Sequence, residues 1–424
     1  MAPLPWHLLP DTAETDGDGA LTVGGCSLVD LAAEFGTPLF VYDEAHLRNR
    51  CREAIDAFGP DCVVYATKAF LCTAMARLAH EEGLLLDVAT GGELFTALRA
   101  GVPADRCVMH GNNKSLDELR YAMTAGVRHI NVDSFAELDR IEALHAEGLP
   151  RVPVQLRITP GVHAHTHEYI ATGQDDSKFG FNLGNGDAAV AVERALASPA
   201  VELVGLHCHI GSNVFAVDSF GRAAEVMAEF ANPFGLPELT LGGGLGVAYV
   251  EGEEAPTIAQ WGKVLLDACA ASGVRAKVSV EPGRSIVASA ALTLYTVGTI
   301  KDLPGIRRYL AVDGGMSDNP RPVLYGSGYE AFLPRDACAD RTERARVVGK
   351  HCESGDILIF DAAIPEGIEV GDILATPVTG AYGHSMGSNY NKVLRPPVVF
   401  VRDGVARLVV RRETYDDLVR CDVG

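Results

Sequence analysis

The stretch CVVYATKAF, residues 62–70, begins with an apolar, strand-like run at 62–67 that leads directly into a lysine, Lys68. Seven similar runs follow along the chain, and turns and stretches with helical periodicity separate them. The later runs lie at 84–88, 106–109, 129–132, 153–158, 203–206, 237–241 and 277–280. Eight strand and helix units are what a closed parallel barrel requires, whereas a doubly wound open sheet would not need eight. We therefore predict an α/β fold built on a (β/α)8 barrel.

The pattern changes after about residue 289. Runs rich in β-forming residues, such as ALTLYTVGTI at 291–300, are separated by Gly, Pro and Asp without comparable helical stretches. We predict a second, C-terminal β domain, a sandwich or a barrel. The first 35 residues also lack a strand and helix unit. The predicted domains are a barrel at 36–288 and a β domain formed by 1–35 and 289–424.

Composition narrows the classes of partner. The 424 residues carry a formal net charge of −20, and no long Lys/Arg block offsets it. This balance argues against nucleic acids and anionic membranes and favours a small-molecule substrate. The N-terminus has no basic region before its short apolar part, and no apolar run reaches the length of a membrane span, which predicts a cytoplasmic protein. The ten cysteines form no CxxC pair, so reduced thiols are expected.

The ends of the predicted strands carry the candidate chemistry. In a parallel barrel, active sites lie at the C-terminal ends of the strands. The residues at these ends, in chain order, are Lys68, Asp87, His110, Asp133, Arg157, His207 with His209, the run Gly242-Gly243-Gly244, and Glu281. Each of these residues also has an explanation without a functional role, because lysines at strand ends reach solvent and glycines build tight turns. Such residues at ends that converge on one mouth nevertheless predict an active site.

This set of residues suits one cofactor, an aldehyde-bearing pyridine with a phosphate. A lysine kept near neutral by burial, here Lys68, forms a Schiff base with an aldehyde. The glycine run suits an anion nest, and the carboxylate of Glu281 suits the ring nitrogen. His209 is placed to lie flat against the ring, and the hydroxyl of Ser212 to bind the phosphate.

A zinc site is the competing interpretation. His163, His165 and His167 alternate in one loop, and His207 and His209 alternate in another. Neutral histidines bind zinc, but no cysteine or carboxylate completes a convincing set. We therefore predict no metal, and keep a zinc hydrolase barrel as an alternative.

An ordered series of motifs resembles the pyridoxal-phosphate-dependent decarboxylases that combine a barrel with a β domain, and among them the diaminopimelate decarboxylase family. The resemblance covers about residues 36–420. The motifs are ATKAF, DVATGGEL, HGNNKS, THEYIATG with SKFG, GLHCHIGSN, LGGGLG, EPGRSIVA, NPRPVLYG, CESGD and GAYGHSMGSNYN. Two positions depart from the family pattern, Phe70 and Gly387, and neither removes a functional group.

The resemblance implies roles for individual residues. Lys68 is the Schiff-base lysine, His209 stacks on the ring, and Glu281 holds the ring nitrogen. The remaining cofactor-binding residues implied are Ser212, Gly243, Gly244, Gly283, Arg284 and Tyr382. The implied substrate-binding residues are Arg284, Arg321, Tyr325, Glu353 and Tyr382. Cys352 is the implied proton donor, although a core thiol is its ordinary reading. The resemblance also implies a homodimer in which Cys352 and Glu353 reach the neighbouring active site.

The expected reaction is decarboxylation of meso-2,6-diaminopimelate to L-lysine and CO2, the last step of lysine biosynthesis. Two arginines and a glutamate suit a substrate end that bears both a carboxylate and an ammonium group. One alternative keeps the fold and cofactor but acts on ornithine, arginine or carboxynorspermidine. Another is a non-catalytic carrier of the cofactor, in which the second domain would have no purpose.

Overall fold

The computed structural model describes residues 3–17, 19–162 and 176–424. The strands in these ranges are β1 (Glu14–Thr15), β2 (Leu21–Val23), β3 (Cys26–Ser27), β4 (Leu39–Asp43), β5 (Val64–Ala66), β6 (Leu85–Val88), β7 (Cys107–Met109), β8 (His129–Val132), β9 (Val152–Thr159), β10 (Phe181–Asn182), β11 (Val201–Cys208), β12 (Glu238–Thr240), β13 (Lys277–Ser279), β14 (Ala291–Leu303), β15 (Arg307–Val312), β16 (Glu343–Val348), β17 (Ile357–Ile364), β18 (Ile373–Pro377), β19 (Val398–Arg402) and β20 (Val405–Val410). The α-helices are α1 (Leu28–Phe35), α2 (Glu44–Phe58), α3 (Thr73–Glu81), α4 (Gly91–Arg99), α5 (Leu116–Ala125), α6 (Phe135–Ala146), α7 (Asp187–Ala197), α8 (Asp218–Ala231), α9 (Ile258–Ala271), α10 (Arg284–Val287), α11 (Arg321–Tyr325) and α12 (Tyr415–Val419).

The first compact unit, Arg50–Gly246 with Ala255–Ser285, is a parallel barrel. Its strands follow the order β5-β6-β7-β8-β9-β11-β12-β13, and β10 pairs with β9 beside this path. A parallel bridge between Val63 and Val280 joins the two ends of the sheet, and the amide of Val64 donates to the carbonyl of Val280 at 2.8 Å. All eight predicted strands are present, and the predicted barrel is confirmed.

Local sequence explains why the barrel elements form where they do. Val64, Leu85 and Val108 lie on three neighbouring strands and make a buried apolar cluster. Helix α5 begins at a capping box in which Ser115 and Glu118 satisfy each other's backbone amides, as the spacing predicts. Apolar burial therefore sets the strands, and polar caps set where the connecting helices begin.

The second compact unit comprises Met1–Asn49, Val247–Glu254 and Ile286–Gly424. Its main sheet has the order β17-β16-β15-β14-β4-β19-β20, with β18 paired to β14, and β1, β2 and β3 form a small antiparallel sheet. The predicted β domain is therefore confirmed as part of the fold class. Strand β4 pairs with β14 and β19 of this unit, although the predicted limit at residue 36 assigns the strand to the barrel. The domain limits at residues 36 and 288 stay a prediction.

None of the helices in the described ranges combines the length and the apolar character that a membrane span requires.

Candidate active site

Lys68 lies just beyond the end of the first barrel strand. Strand β5 stops at Ala66, and residues Thr67–Ala69 form a short 3-10 turn. The side chain of Lys68 is exposed, whereas Thr67 and Phe70 are buried. The expectation of a buried lysine is therefore wrong, because on the turn after the strand Lys68 faces solvent while its neighbours Thr67 and Ala69 are buried. The lysine still lies at the end of β5 from which the active site was predicted.

Glu281 occupies the equivalent position after the last barrel strand, and it is buried. Its two carboxylate oxygens lie 2.9 Å from Nε2 of His110 and 2.9 Å from Nε2 of His207. Burial alone raises the pKa of a carboxyl group, but the two histidines outweigh it and hold the pKa of Glu281 well below its usual value. The carboxylate is therefore ionised, as a partner for a protonated ring nitrogen must be.

His209 is held as a neutral ring. Its Nδ1 accepts a hydrogen bond from the backbone amide of Gly243 at 3.3 Å, which leaves the proton on Nε2. Burial, together with the positive charges of Lys68 and Arg157, lowers the pKa of His209 well below 6.5. A neutral imidazole at this strand end suits stacking on an aromatic ring.

The loops after β11 and β13 meet through a polar pair. Nη2 of Arg284 donates to Oγ of Ser212 at 2.9 Å. Nearby, Gly283 lets the turn after β13 approach the end of β5, since a Cβ there would lie 3.0 Å from the Ala66 carbonyl oxygen. A guanidinium beside a hydroxyl suits an anionic group such as a phosphate. The barrel thus brings together its predicted cofactor-binding residues at one end.

The glycine run after β12 is required by packing. A Cβ on Gly243 would lie 2.0 Å from the carbonyl oxygen of Glu281, and one on Gly244 would lie 2.1 Å from that of Gly211. These close approaches let the end of β12 fit between the loops that follow its two neighbouring strands. The anion nest proposed for the run is a separate role, which stays a prediction.

Replacing Gly243 with alanine is expected to destabilise the protein, because the new methyl group would collide with the backbone of Glu281. Overpacking of this kind costs about 1–3 kcal/mol, so we expect Tm to fall by several degrees. Thermal unfolding followed by circular dichroism measures this change. Gly17, around which a Cβ would meet nothing within 4 Å, is the matched control position. Equal Tm values for Gly243→Ala and Gly17→Ala would contradict this account of the run.

A second group of predicted residues lies in the β unit. Arg321 is only 4% exposed, and its Nη1 donates to the hydroxyl of Tyr329 at 2.6 Å. Its guanidinium also lies 4.2 Å from the ring centroid of Tyr249. Tyr325 ends the same short helix, α11, one turn after Arg321. Two tyrosines therefore hold this arginine in one orientation.

The loop that carries Cys352 and Glu353 is exposed at its tip and anchored at its base. Both residues are exposed, and the backbone amide of Cys352 donates to Oδ1 of Asn391 at 3.0 Å. The preceding residue, His351, donates its backbone amide to Asp356 at 2.8 Å. The thiol therefore lies on an ordered, outward-facing loop, so the core-thiol interpretation of Cys352 is wrong.

The remaining predicted position in this unit is Tyr382, which has φ 59°, a left-handed conformation that is uncommon outside glycine. Such backbone strain is concentrated at functional sites. The two departures from the family pattern are both accommodated. Phe70 is buried and accepts a hydrogen bond on its carbonyl from the Tyr65 hydroxyl, and Gly387 follows a short 3-10 turn.

Only some of the histidines considered as zinc ligands lie within the described ranges. His163, His165 and His167 lie outside the described residues. Within the described ranges, the ligand atoms of His110, His207 and Glu281 lie close enough to hold a metal ion. Both imidazoles, however, already lie at hydrogen-bonding distance from the glutamate oxygens. The second histidine of the suspected pair, His209, bonds Gly243 instead.

Several contributors to the site are missing from the sequence prediction. The prediction includes His110 and His207 only as residues at strand ends, and it does not include their contacts with Glu281. The tyrosines that hold Arg321 are absent altogether, and the asparagine that holds Cys352 appears only as the last residue of the motif GAYGHSMGSNYN, without a role. For Tyr249 the sequence offers no signal, because its partner lies far away in the chain.

Comparison with known proteins gives one consistent picture. Residues 44–288 match the family model described as pyridoxal-dependent decarboxylase, pyridoxal binding domain. A diaminopimelate decarboxylase of Mycobacterium tuberculosis is 47% identical over 444 residues, which cover 100% of this chain and 98% of the relative. One from Bacillus subtilis is 46% identical and covers 98% of both chains.

Solved structures agree with the sequence relatives. The crystal structure of diaminopimelate decarboxylase from M. jannaschii aligns with a TM-score of 0.91 at 33% identity and covers 98% of both chains. A lysine/ornithine decarboxylase from Vibrio vulnificus, at 23% identity and a TM-score of 0.76, shares the fold. The chain therefore belongs to the diaminopimelate decarboxylase family of pyridoxal-dependent decarboxylases.

Proposed function

We propose that this enzyme decarboxylates meso-2,6-diaminopimelate to L-lysine and CO2 with pyridoxal 5'-phosphate as its cofactor. The observation that carries the choice of substrate is the buried guanidinium of Arg321. Its partners within the described ranges are tyrosines rather than carboxylates, so its charge is available for a substrate carboxylate. Ornithine and similar diamino acids lack such a carboxylate, and they would leave this buried charge unpaired.

The residues of the barrel fit the cofactor. The aldehyde requires an amine and the ring face a neutral imidazole. The ring nitrogen requires an ionised carboxylate, and the phosphate a hydroxyl paired with a guanidinium. When bound, pyridoxal 5'-phosphate supplies an electron-withdrawing ring that accepts the electron pair left by the departing carboxylate. We assign attachment to Lys68, ring stacking to His209 and the ring nitrogen to Glu281. Phosphate and cofactor contacts are assigned to Ser212, Gly243, Gly244, Gly283, Arg284 and Tyr382.

The substrate's far end is assigned to residues of the β unit together with Arg284 of the barrel. Arg321, Arg284 and Tyr325 would hold its distal carboxylate, and Glu353 its distal ammonium group. Tyr382 is assigned as a further substrate contact. A planar guanidinium grips a carboxylate through two parallel hydrogen bonds, which fixes orientation as well as charge. Release of CO2 from freshly purified enzyme tests the whole assignment. We expect release from meso-diaminopimelate and little from its other stereoisomers, L-lysine or L-ornithine; release from ornithine at an equal rate would contradict it.

Cys352 is assigned as the donor that returns a proton to the substrate carbon after CO2 leaves. Its exposure on an anchored loop supports action in the site of a neighbouring subunit rather than in the core. Helix α11 packs on β17, and Val323, Leu324 and Phe360 of these elements expose apolar side chains. Such a surface suits a second copy of the chain. We therefore propose a cytoplasmic homodimer with shared active sites.

Replacing Cys352 with alanine is expected to lower kcat by about 10²–10⁴-fold, the usual contribution of a positioned proton donor. KM for diaminopimelate should change little, because the thiol acts after binding. Cys338, another exposed cysteine of the same unit, provides the matched control Cys338→Ala, which should retain wild-type kcat. Steady-state kinetics at saturating cofactor measure both values, and equal kcat for the two variants would remove the assignment.

Mixing two inactive variants tests the shared site directly. Lys68→Ala and Cys352→Ala are each expected to be nearly inactive alone. If each site combines Lys68 of one subunit with Cys352 of the other, dissociation and reassociation restores roughly a quarter of the sites. No recovery, in mixtures that sedimentation shows to contain hybrid dimers, would mean that both residues serve one subunit.

A further inference from the structure

The carboxylate of Glu281 lies between two histidines that come from the ends of two different barrel strands. His110 follows β7 and reaches Oε1, while His207 lies in β11 and reaches Oε2, each at 2.9 Å through Nε2. All three side chains are buried. The two imidazole rings meet edge to face with their centroids 5.2 Å apart. The three residues therefore form one compact polar cluster, which we name the histidine clamp.

We propose that His110 and His207 are positioning residues that fix the Glu281 carboxylate, ionised and in a single orientation, toward the cofactor's ring nitrogen. This inference rests on the proposed role of Glu281. A carboxylate has about four lone-pair sites. His207 occupies one site on Oε2 with a hydrogen bond, whereas Oε1, which faces His110 at 2.9 Å, has no hydrogen-bond partner among the described residues and can accept from a third donor. The two rings also prevent the carboxylate from rotating away from that donor.

The surroundings of each ring set its protonation state. Burial lowers the pKa of His207, whose Nδ1 is buried and has no hydrogen-bond partner among the described residues, so the neutral ring carries its proton on Nε2. For His110, burial also lowers the pKa, but the carboxylates of Asp87 and Glu281 outweigh it and raise the pKa overall. The side-chain nitrogen of Asn131 lies 3.2 Å from Nδ1 of His110, and donation from it to Nδ1 leaves the ring proton on Nε2.

Other charged groups near the cluster do not replace the clamp. The field at Glu281 also includes Asp87, which in turn interacts with Lys68, and Arg157. Arg157 lies 3.7 Å from Asp133 and 4.2 Å from the ring centroid of Phe179. That arginine is therefore engaged elsewhere, and the two histidines make the direct contacts with the glutamate.

Paired amide substitutions separate hydrogen bonding from mere packing. In glutamine the amide nitrogen reaches about as far as Nε2 of histidine, whereas in asparagine it stops near Nδ1. We therefore compare His207→Gln with His207→Asn, and His110→Gln with His110→Asn. The buried His129, at the start of β8, gives the control His129→Gln. Cofactor-free protein is titrated with pyridoxal 5'-phosphate to obtain Kd, and kcat and KM are measured at saturating cofactor.

We expect each asparagine variant to raise the cofactor Kd by roughly 10- to 100-fold, the range for a lost hydrogen bond to a charged group. We also expect it to lower kcat while KM for diaminopimelate stays within a few fold. The glutamine variants and His129→Gln should stay near wild type. Equal Kd values for the glutamine and asparagine variants would overturn the clamp. If an asparagine variant does not fold, the glutamine variant decides, and a Kd raised by more than tenfold overturns it.

Glu281→Gln distinguishes this inference from the role on which it rests. If Glu281→Gln binds the cofactor and turns over like wild type, the assignment of Glu281 to the ring nitrogen fails. If Glu281→Gln is impaired but both asparagine variants are not, only the clamp fails. Metal analysis adds a further outcome. One zinc ion per chain in the purified holoenzyme, lost in His207→Gln, would mean that the cluster is a metal site and would overturn the clamp.

Discussion

Replacing Lys68 with alanine is expected to abolish decarboxylation, with kcat lower by about 10³-fold or more, as when other covalent catalytic groups are removed. The residue lies on the turn after β5, beside the turn that carries Gly283 and follows Glu281. An exposed amine at this position is accessible to the aldehyde of the cofactor. We therefore expect wild-type enzyme to absorb visible light, and the variant to lose that band.

Borohydride reduction followed by mass spectrometry identifies the attachment point. In wild type, the peptide that contains Lys68 should gain the mass of the reduced cofactor. Lys263, an exposed lysine on α9, provides the control Lys263→Ala, which should keep both the label and the activity. A label that remains at full level in Lys68→Ala, on any other lysine, would contradict the assignment and with it the organisation of the site.

The second large effect is expected at Arg321. Truncation to alanine removes a buried charge that we assign to the substrate's distal carboxylate, and breaking such a pair costs about 2–5 kcal/mol, or roughly 30- to 4000-fold in kcat/KM. Arg321→Lys should recover only part of this loss, since an ammonium group cannot form the two parallel bonds of a guanidinium. Steady-state kinetics with meso-diaminopimelate measure the effect.

The control for this prediction is Arg344→Ala, an exposed arginine in β16 of the same unit. It should leave kcat/KM unchanged. Activity of Arg321→Ala on diaminopimelate close to that of wild type would show that the substrate assignment is wrong. Higher activity of the same variant on lysine or ornithine than wild type shows would support the assignment, because the unpaired charge that excludes them would be gone.

The barrel was predictable because its signals are local. Each strand is a short apolar run followed by a turn, and the spacing of Ser115 and Glu118 indicates where α5 begins. The burial of Lys68 was predicted wrongly because an apolar run does not show which residues of the following turn face solvent. Thr67 and Ala69, on the same turn as Lys68, are buried.

The contacts that organise the site were not predictable, because they join distant parts of the chain. Glu281 receives its two histidines from strands that precede it by many residues, and no periodicity links them. Tyr249 belongs to a short segment, Val247–Glu254, that interrupts the barrel sequence yet groups with the β unit, where it contacts Arg321. A single sequence carries no signal that this segment belongs to the β unit rather than to the barrel.

The seam between the first and last barrel strands has a consequence for synthesis of the enzyme. Val63 and Val280, which form this seam, are more than two hundred residues apart in the chain. On the ribosome, the turn that carries Lys68 emerges long before the turn that carries Glu281, and contacts so distant in sequence form late in folding. The nascent chain is therefore expected to bind the cofactor only after the ribosome has translated the last strand of the barrel.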